Sequence, residues 1–130
     1  MSGPEPLENT GRNVELSLAD WVFYRLIDVP RVREEHFYTH EQLGKPLLRE
    51  KYRDQWSRGI SVFSDREEAI RKASVIRNPV CTYMVMLKIP RTSSLRLEQT
   101  GAAFHYTIWD ADPAELIGYV SGDPERIRDR

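Results

Sequence analysis

Runs of apolar residues predict five strands in this chain and a sixth, shorter one. Residues 21–27 (WVFYRLI) are dense in aromatic and branched side chains, which is typical of a buried strand. Residues 80–89 carry apolar side chains at both odd and even positions, so we expect both faces of that strand to be covered. The other predicted strands are residues 60–63, 104–109 and 116–120, with the short one at 95–97.

Helical spacing of apolar residues is found in the first half of the chain. Residues 32–43 are a weaker helical candidate, and Pro46 suits the first turn of a second helix. Gly59 would end that helix, at a position that favours a left-handed residue. The apolar face of the second helix is spaced four residues apart and consists of Leu48, Tyr52 and Trp56.

A third helix has a defined start and end in the sequence. Ser64 can cap its N-terminus while Glu67, three residues on, reaches back to the cap amide. Asn78-Pro79 would stop it. Its apolar stripe is Ala69, Ala73 and Ile76.

The order of these elements predicts an α+β fold in one domain. Helices cluster early and strands cluster late, which argues against a doubly wound parallel sheet. We expect the domain to span residues 19–122, after a flexible lead-in over residues 1–18 and before a charged tail over residues 123–130.

Composition narrows the function classes. The 130 residues are 40% apolar and carry a formal charge of -1, which argues against a nucleic-acid binder that works by bulk charge. Cys81 is the single cysteine, so an internal disulfide is excluded, and we interpret it as a core thiol. No apolar run is long enough to cross a bilayer, and no Sec signal peptide is recognisable. We therefore expect a cytoplasmic protein without membrane contact, whose export would need no Sec leader.

Charge is unevenly distributed along the chain. Residues 45–77 hold nine basic and five acidic groups, a local charge of +4, whereas residues 98–130 come to -4. Solvated helix faces explain this pattern most simply. The alternative is that the helical half attracts an anionic ligand such as a dinucleotide pyrophosphate.

Motifs for familiar chemistry are missing. The sequence has no phosphate-binding loop, no dinucleotide fingerprint and no nucleophile elbow. His36 and His40 have the i, i+4 spacing of a helical metal pair, but HFYTH lacks the glutamate of a zincin, and we predict no metal site.

Three predicted strands each place one polar side chain among apolar neighbours. Arg25 lies inside the first strand, where an arginine is costly unless it meets an anion or a carboxylate such as Asp28 or Asp110. Ser61 lies within Gly59-Ile60-Ser61-Val62-Phe63, and His105 begins His105-Tyr106-Thr107-Ile108-Trp109. Ordinary ion pairing or backbone hydrogen bonds would explain each alone. Together they suggest a cleft lined by strands.

These segments, in this order, resemble mono-ADP-ribosyltransferase-like toxins. The matching residues are Tyr24-Arg25, Gly59 to Phe63 and His105 to Ile108, about a dozen positions in all. The resemblance is greatest to a small family of cytotoxic effectors delivered by bacterial type VI secretion. It implies an ADP-ribosyltransferase-like split sheet and NAD as a substrate.

The resemblance also implies roles for individual residues. Arg25 would steady the phosphate or ribose of NAD, Ser61 would support the nicotinamide pocket, and His105 would be the third catalytic group. The implied pocket walls and NAD contacts are Tyr24, Arg25, Gly59, Phe63 and Tyr106. In the family, a glutamate on a later strand stabilises the charge that develops as nicotinamide leaves. The HYTI strand carries no acidic residue, and the nearest candidates are Glu98, Asp110 and Glu115.

Several alternatives follow from that missing glutamate. NAD hydrolysis is one, and a non-enzymatic protein-binding module on the same fold is another. An RNA 2′-phosphotransferase-like activity would need several arginines in one cleft. The resemblance further implies a cognate immunity protein as partner and a protein or nucleic acid as acceptor of ADP-ribose.

Overall fold

The computed structural model describes residues 20–75 and 82–128, and within them a six-stranded sheet dominates. Its strands are β1 (Trp21–Ile27), β2 (Gly59–Phe63), β3 (Tyr83–Ile89), β4 (Arg96–Gln99), β5 (His105–Trp109) and β6 (Val120–Arg126). The α-helices are α1 (Arg53–Arg58), α2 (Arg66–Val75) and α3 (Pro113–Ile117). Two short 3-10 helices span Glu34–Phe37 and Glu50–Tyr52.

The strands lie in the order β4-β5-β2-β1-β3-β6, and every neighbouring pair is antiparallel. The prediction of a small single-domain α+β protein is therefore confirmed. β1 pairs with β3 at seven positions, from Trp21 opposite Ile89 to Ile27 opposite Tyr83. On its other side, β1 is in register with β2 at the single pair of Tyr24 and Phe63. The centre of the sheet is thus tightly joined on one side of β1 and loosely joined on the other.

One face of the sheet carries the hydrophobic core. The strand residues of the core cluster are no more than 3% exposed, and the 3-10 helix residue Phe37 and the α3 residue Leu116 pack with them. Burial of each large side chain contributes about 1.5–3 kcal/mol to folding. The strand members are Phe23, Ile27, Ile60, Val62, Val85, Leu87, Ile89 and Ile108.

The predicted helix over 32–43 is wrong, because only Glu34–Phe37 is helical and the following residues form a turn. Thr39 and Gln42 explain the difference. The Thr39 amide donates to Gln42 Oε1 at 2.7 Å, and the Gln42 amide donates to Thr39 Oγ1 at 3.2 Å. These local bonds replace the helical ones. The second predicted helix starts later than expected, with a 3-10 turn at Glu50 and α1 at Arg53.

Two predicted helix ends also differ. Gly59 has an extended backbone, with φ of -113°, so it is not the left-handed residue that we expected. The start of α2 is capped by Asp65, whose Oδ2 accepts the Glu68 amide at 2.9 Å, rather than by the expected pair of Ser64 and Glu67. Ala69 and Ala73 are buried as predicted, and Ile76 and Asn78-Pro79 lie outside the described residues.

The C-terminal region departs most from the prediction. In the expected strand over 116–120, residues 116–117 end the short helix α3, residues 118–119 form a turn and only Val120 is in a strand. The helix forms because Asp112 caps it by accepting the Ala114 amide at 2.9 Å and Pro113 occupies its first turn. The last strand follows it, so residues 123–126 of the expected tail form the end of β6. In the third predicted strand, Val80 and Cys81 lie outside the described residues, as does the predicted lead-in over 1–18. No helix among the described residues has the length and apolar character needed to span a membrane.

Candidate active site

A cleft with two lobes lies beside the sheet where β1, β2 and β5 present Arg25, Ser61 and His105. Strands β2 and β5 contribute to both lobes through Ser61 and His105. The first lobe has a volume of about 450 Å³ and the second about 600 Å³. Both values fall within the range of small-molecule and cofactor sites.

The two lobes have different walls. The first lobe is bounded by α1 and the chain before it, and its aromatic walls are Tyr38, Tyr52 and Trp56. The second is bounded by α2, which contributes Glu68, Arg71, Lys72 and Val75. The first lobe therefore has aromatic walls from the chain around α1, and the second adds three charged side chains from α2.

The residues at the junction line both lobes. They are Arg25, His40, Ser61, Gly101 and His105. The structure thus brings together the three side chains that the sequence singled out for chemistry, although they lie far apart in the chain. Arg25 comes from β1, Ser61 from β2 and His105 from β5.

Arg25 lies where β1 and β2 part. Its Nη1 donates to the Ser61 carbonyl oxygen at 2.8 Å, and its Nε donates to the His36 carbonyl oxygen at 3.0 Å. The carboxylates expected as its partners contact other groups: Asp28 lies 3.1 Å from His36 Nε2, and Asp110 contacts Arg58 at 2.7 Å. Two contacts of the Arg25 guanidinium are therefore with backbone oxygens, and Arg25 lines the junction of the two lobes.

His105 is fixed in one tautomer. Its Nδ1 lies 2.8 Å from the Thr100 carbonyl oxygen, and a carbonyl only accepts, so Nδ1 carries the proton and donates it. Nε2 of the neutral ring is then a proton acceptor. The Thr100 hydroxyl also lies 2.7 Å from the Thr107 hydroxyl, and the Phe63 ring meets the imidazole edge-on at 5.4 Å between centroids. These contacts hold the imidazole rigidly in the cleft.

Gly59 lines the first lobe for a steric reason. A Cβ on Gly59 would lie 2.7 Å from Thr107 Cγ2 and 3.1 Å from the Gln55 backbone. The absence of a side chain therefore lets α1 approach β5 closely. Ser61 on β2 lies opposite Thr107 on β5, and Ser61 is exposed to the cleft.

Of the other residues expected as pocket walls, one lines the described cleft and two do not. Phe63 lines the second lobe as expected. Tyr106 does not line the described cleft: its ring packs at a tilt of 56° against Phe23 on the core side, with 5.2 Å between the ring centroids. Strand alternation explains this, because neighbours in β5 face opposite sides and His105 occupies the cleft side. Tyr24 is also outside the described lining of both lobes.

None of the three carboxylates nearest the HYTI strand lines the described cleft. Glu98 accepts a hydrogen bond from Trp109 Nε1 at 2.8 Å, and Glu115 accepts one from the Tyr119 hydroxyl at 2.9 Å. The Arg58 guanidinium binds Asp110 and lowers the pKa of that carboxyl. Glu68 on α2 is the carboxylate that does line the described cleft, in contact with Arg71. Sequence reasoning missed it because its position looked like part of a solvated helix face.

The charged lining of the described cleft is mainly basic, with one acid among four cations. These residues are Arg25, Arg49, Glu68, Arg71 and Lys72. The surplus of positive charge favours an anionic ligand.

His40 and Gly101 are junction residues that sequence reasoning did not assign to the cleft. His40 is the one of the two with a titratable side chain. His40 is an exposed residue, but partial desolvation by the groups around it, followed by the charges of Lys45 and Arg25, lowers its pKa below the ordinary value of 6.5. His36, its sequence partner in the HFYTH pattern, has different surroundings: its Nδ1 accepts the Arg33 amide at 3.0 Å and its Nε2 contacts Asp28. The turn around Thr39, which no periodicity predicts, separates the two environments.

Among residues 20–75 and 82–128, no group of three or more His, Cys, Asp or Glu side chains could hold a metal ion. No protein-family model matches the chain, and neither a curated protein nor a solved structure matches it. The function must therefore be argued from the cleft itself.

Proposed function

We propose that this protein is a toxin-like enzyme that uses NAD, acting inside a target cell as an ADP-ribosyltransferase or an NAD glycohydrolase. The proposal includes an ADP-ribosyltransferase-like split sheet, with the split between β1 and β2. The observation that carries it is the meeting of Arg25, Ser61 and His105 at the junction of two lobes.

The shape and charge of the cleft suit a dinucleotide. NAD has two planar bases joined by a pyrophosphate. The aromatic lobe offers ring faces and edges against which a base can stack. Arg25 at the junction offers a positive charge to the pyrophosphate or the adjoining ribose.

The reaction breaks the bond between ribose C1′ and the nicotinamide nitrogen. The bonding electrons leave with nicotinamide, and positive charge develops on the ribose. A fixed group that is negative or accepts a hydrogen bond lowers this barrier when it lies beside the ribose. His105 Nε2, as the acceptor atom of a rigid imidazole, can bind a ribose hydroxyl and hold the sugar for the reaction.

Nicotinamide release from NAD tests the proposal directly. We expect the purified protein to release nicotinamide, and we expect Ser61→Ala and His105→Ala to lose at least tenfold in rate. Arg25→Ala is less informative alone, because it also removes the donor for two carbonyl oxygens. Circular dichroism establishes that each variant is folded. No release and no NAD binding at millimolar NAD would contradict the proposal.

Expression in bacterial cells tests the toxin part. We expect the wild type to arrest growth and His105→Ala to relieve the arrest. Equal growth inhibition by both would contradict an enzymatic toxin.

A binding module without catalysis is the second candidate. It is favoured by the missing strand carboxylate, since Glu68 is the described carboxylate in the cleft and it contacts Arg71. This alternative predicts that His105→Ala leaves partner binding intact, while charge reversal of Lys72 on α2 abolishes it.

A further inference from the structure

The three histidines differ in how their ring nitrogens are used. Both nitrogens of His36 have partners, and Nδ1 of His105 is bound to Thr100. The ring of His40 makes no hydrogen bond to any other residue within 20–75 and 82–128. His40 is nevertheless one of the residues that line both lobes of the cleft.

The backbone around His40 is held firmly even though its ring is unpartnered. Its carbonyl oxygen accepts the Lys45 amide at 2.9 Å, and the Glu41 amide next to it donates to the Trp56 carbonyl at 2.9 Å. Thr39 on its other side is buried and exchanges hydrogen bonds with Gln42. The backbone therefore holds an exposed imidazole, which makes no hydrogen bond to another described residue, at the junction of the two lobes, where a bound ligand can reach it.

We propose that His40 accepts the proton of the nucleophile that attacks ribose C1′ at this cleft. The inference rests on the proposed NAD chemistry and adds a residue to it. As the bond from C1′ to the nicotinamide nitrogen breaks, its electron pair leaves with neutral nicotinamide. The oxygen of water, or of an acceptor hydroxyl, bonds to C1′, and its proton passes to the imidazole of His40. The imidazolium then returns the proton to solvent.

The electrostatic surroundings of His40 suit this role. An imidazole accepts a proton only when it is neutral. Partial desolvation, followed by the charges of Lys45 and Arg25, lowers the pKa of His40, so its ring stays neutral to lower pH than usual. The charged and titratable groups around the cleft and its margin are Arg25 on β1, His105 on β5, Glu68, Arg71 and Lys72 on α2, and Tyr38, Lys45, Arg49 and Tyr52 in the chain between β1 and α1.

The first test separates chemistry from binding. We expect His40→Gln to lower kcat for nicotinamide release by about a hundredfold, the usual contribution of a general base, while the dissociation constant for NAD changes less than threefold, about 0.7 kcal/mol. Free imidazole should restore part of the activity of His40→Ala. A variant with unchanged kcat, or one without imidazole rescue, would overturn the role of His40.

The second test uses pH. For the wild type, kcat should fall as pH drops through a pKa below 6.5, because the base becomes protonated. Lys45→Gln removes one of the charges that lower this pKa, so its acid limb should move to higher pH with the plateau of kcat unchanged. An acid limb that stays in place in Lys45→Gln, or that survives in His40→Gln, would contradict the inference.

Failure of this inference can be told apart from failure of the proposed function. If the wild type releases nicotinamide and the His40 variants behave like it, only the role of His40 is lost. If the wild type neither binds NAD nor releases nicotinamide, the proposed function falls and the role of His40 falls with it.

Discussion

The core side and the cleft side of the sheet differ most clearly along β2, where Ile60 is 2% exposed in the core and its neighbour Ser61 is exposed to the cleft. In β5 the contrast is weaker, because Thr107 lines the cleft and is nevertheless only 1% exposed. In β2, therefore, a residue that packs in the core lies next to a residue that lines the cleft, and we expect that each can be changed without the other.

The largest expected effect contrasts two adjacent residues in β2. Ile60→Ala should lower the free energy of unfolding by about 2–5 kcal/mol, because it leaves a cavity in the core. Ser61→Ala should change it by no more than about 0.5 kcal/mol while it impairs nicotinamide release. Urea denaturation of both variants measures the contrast. Similar destabilisation by the two substitutions would break the division between the faces.

The next largest effect is expected at Gly59, where α1 and β5 approach each other closely. Gly59→Ala should cost about 1–3 kcal/mol of unfolding free energy, because its methyl group meets Thr107 Cγ2 at 2.7 Å. Thr107→Ser removes that methyl carbon and keeps the hydroxyl that contacts Thr100.

A double-mutant cycle provides the control for this contact. The cost of Gly59→Ala should be smaller in the Thr107→Ser background. An equal cost in both backgrounds would show that the contact with Thr107 is not what excludes a side chain at Gly59.

The smallest effect is expected at Asp110, at the exposed end of β5. The Arg58 guanidinium lowers the pKa of this carboxyl, so the ion pair stabilises the fold above the unfolded-state pKa of 3.8 and is lost as pH falls through the lower folded-state pKa. Asp110 also has a φ of +55°, a conformation that asparagine tolerates.

Asp110→Asn therefore tests charge without changing backbone preference. We expect a small decrease in thermal stability at about pH 7, since both partners are about half exposed, and convergence with the wild type near pH 2. A difference between the two proteins that persists at the acid end would contradict the assignment to the ion pair.

Much of the sheet could be predicted from the sequence because strand patterning is local. The bounds predicted for β1, residues 21–27, are those found, and the three polar residues were picked out because each interrupts an apolar run. The short helices could not be predicted in the same way. In α3, five residues carry too few turns for periodicity, and Asp112-Pro113 serves equally well as a turn or as a helix start.

The missed cleft residues depend on contacts that no local pattern contains. His40 reaches the cleft because Thr39 and Gln42 form a turn where helical spacing predicted a helix. The position of Tyr106, in contrast, follows from a local pattern, because strand alternation alone places it with Ile108 on the core side. Strand alternation is therefore stronger evidence for the location of Tyr106 than its position next to His105 in the sequence.

An NMR titration of the protein with NAD tests ligand binding at the cleft most directly. We predict saturable shifts in the amide signals of Gly59, Ser61 and His105, with the core-side signals of Leu87 and Ile89 little changed. Shifts confined to residues outside the cleft, or no shifts at millimolar NAD, would contradict the claim that the cleft binds NAD.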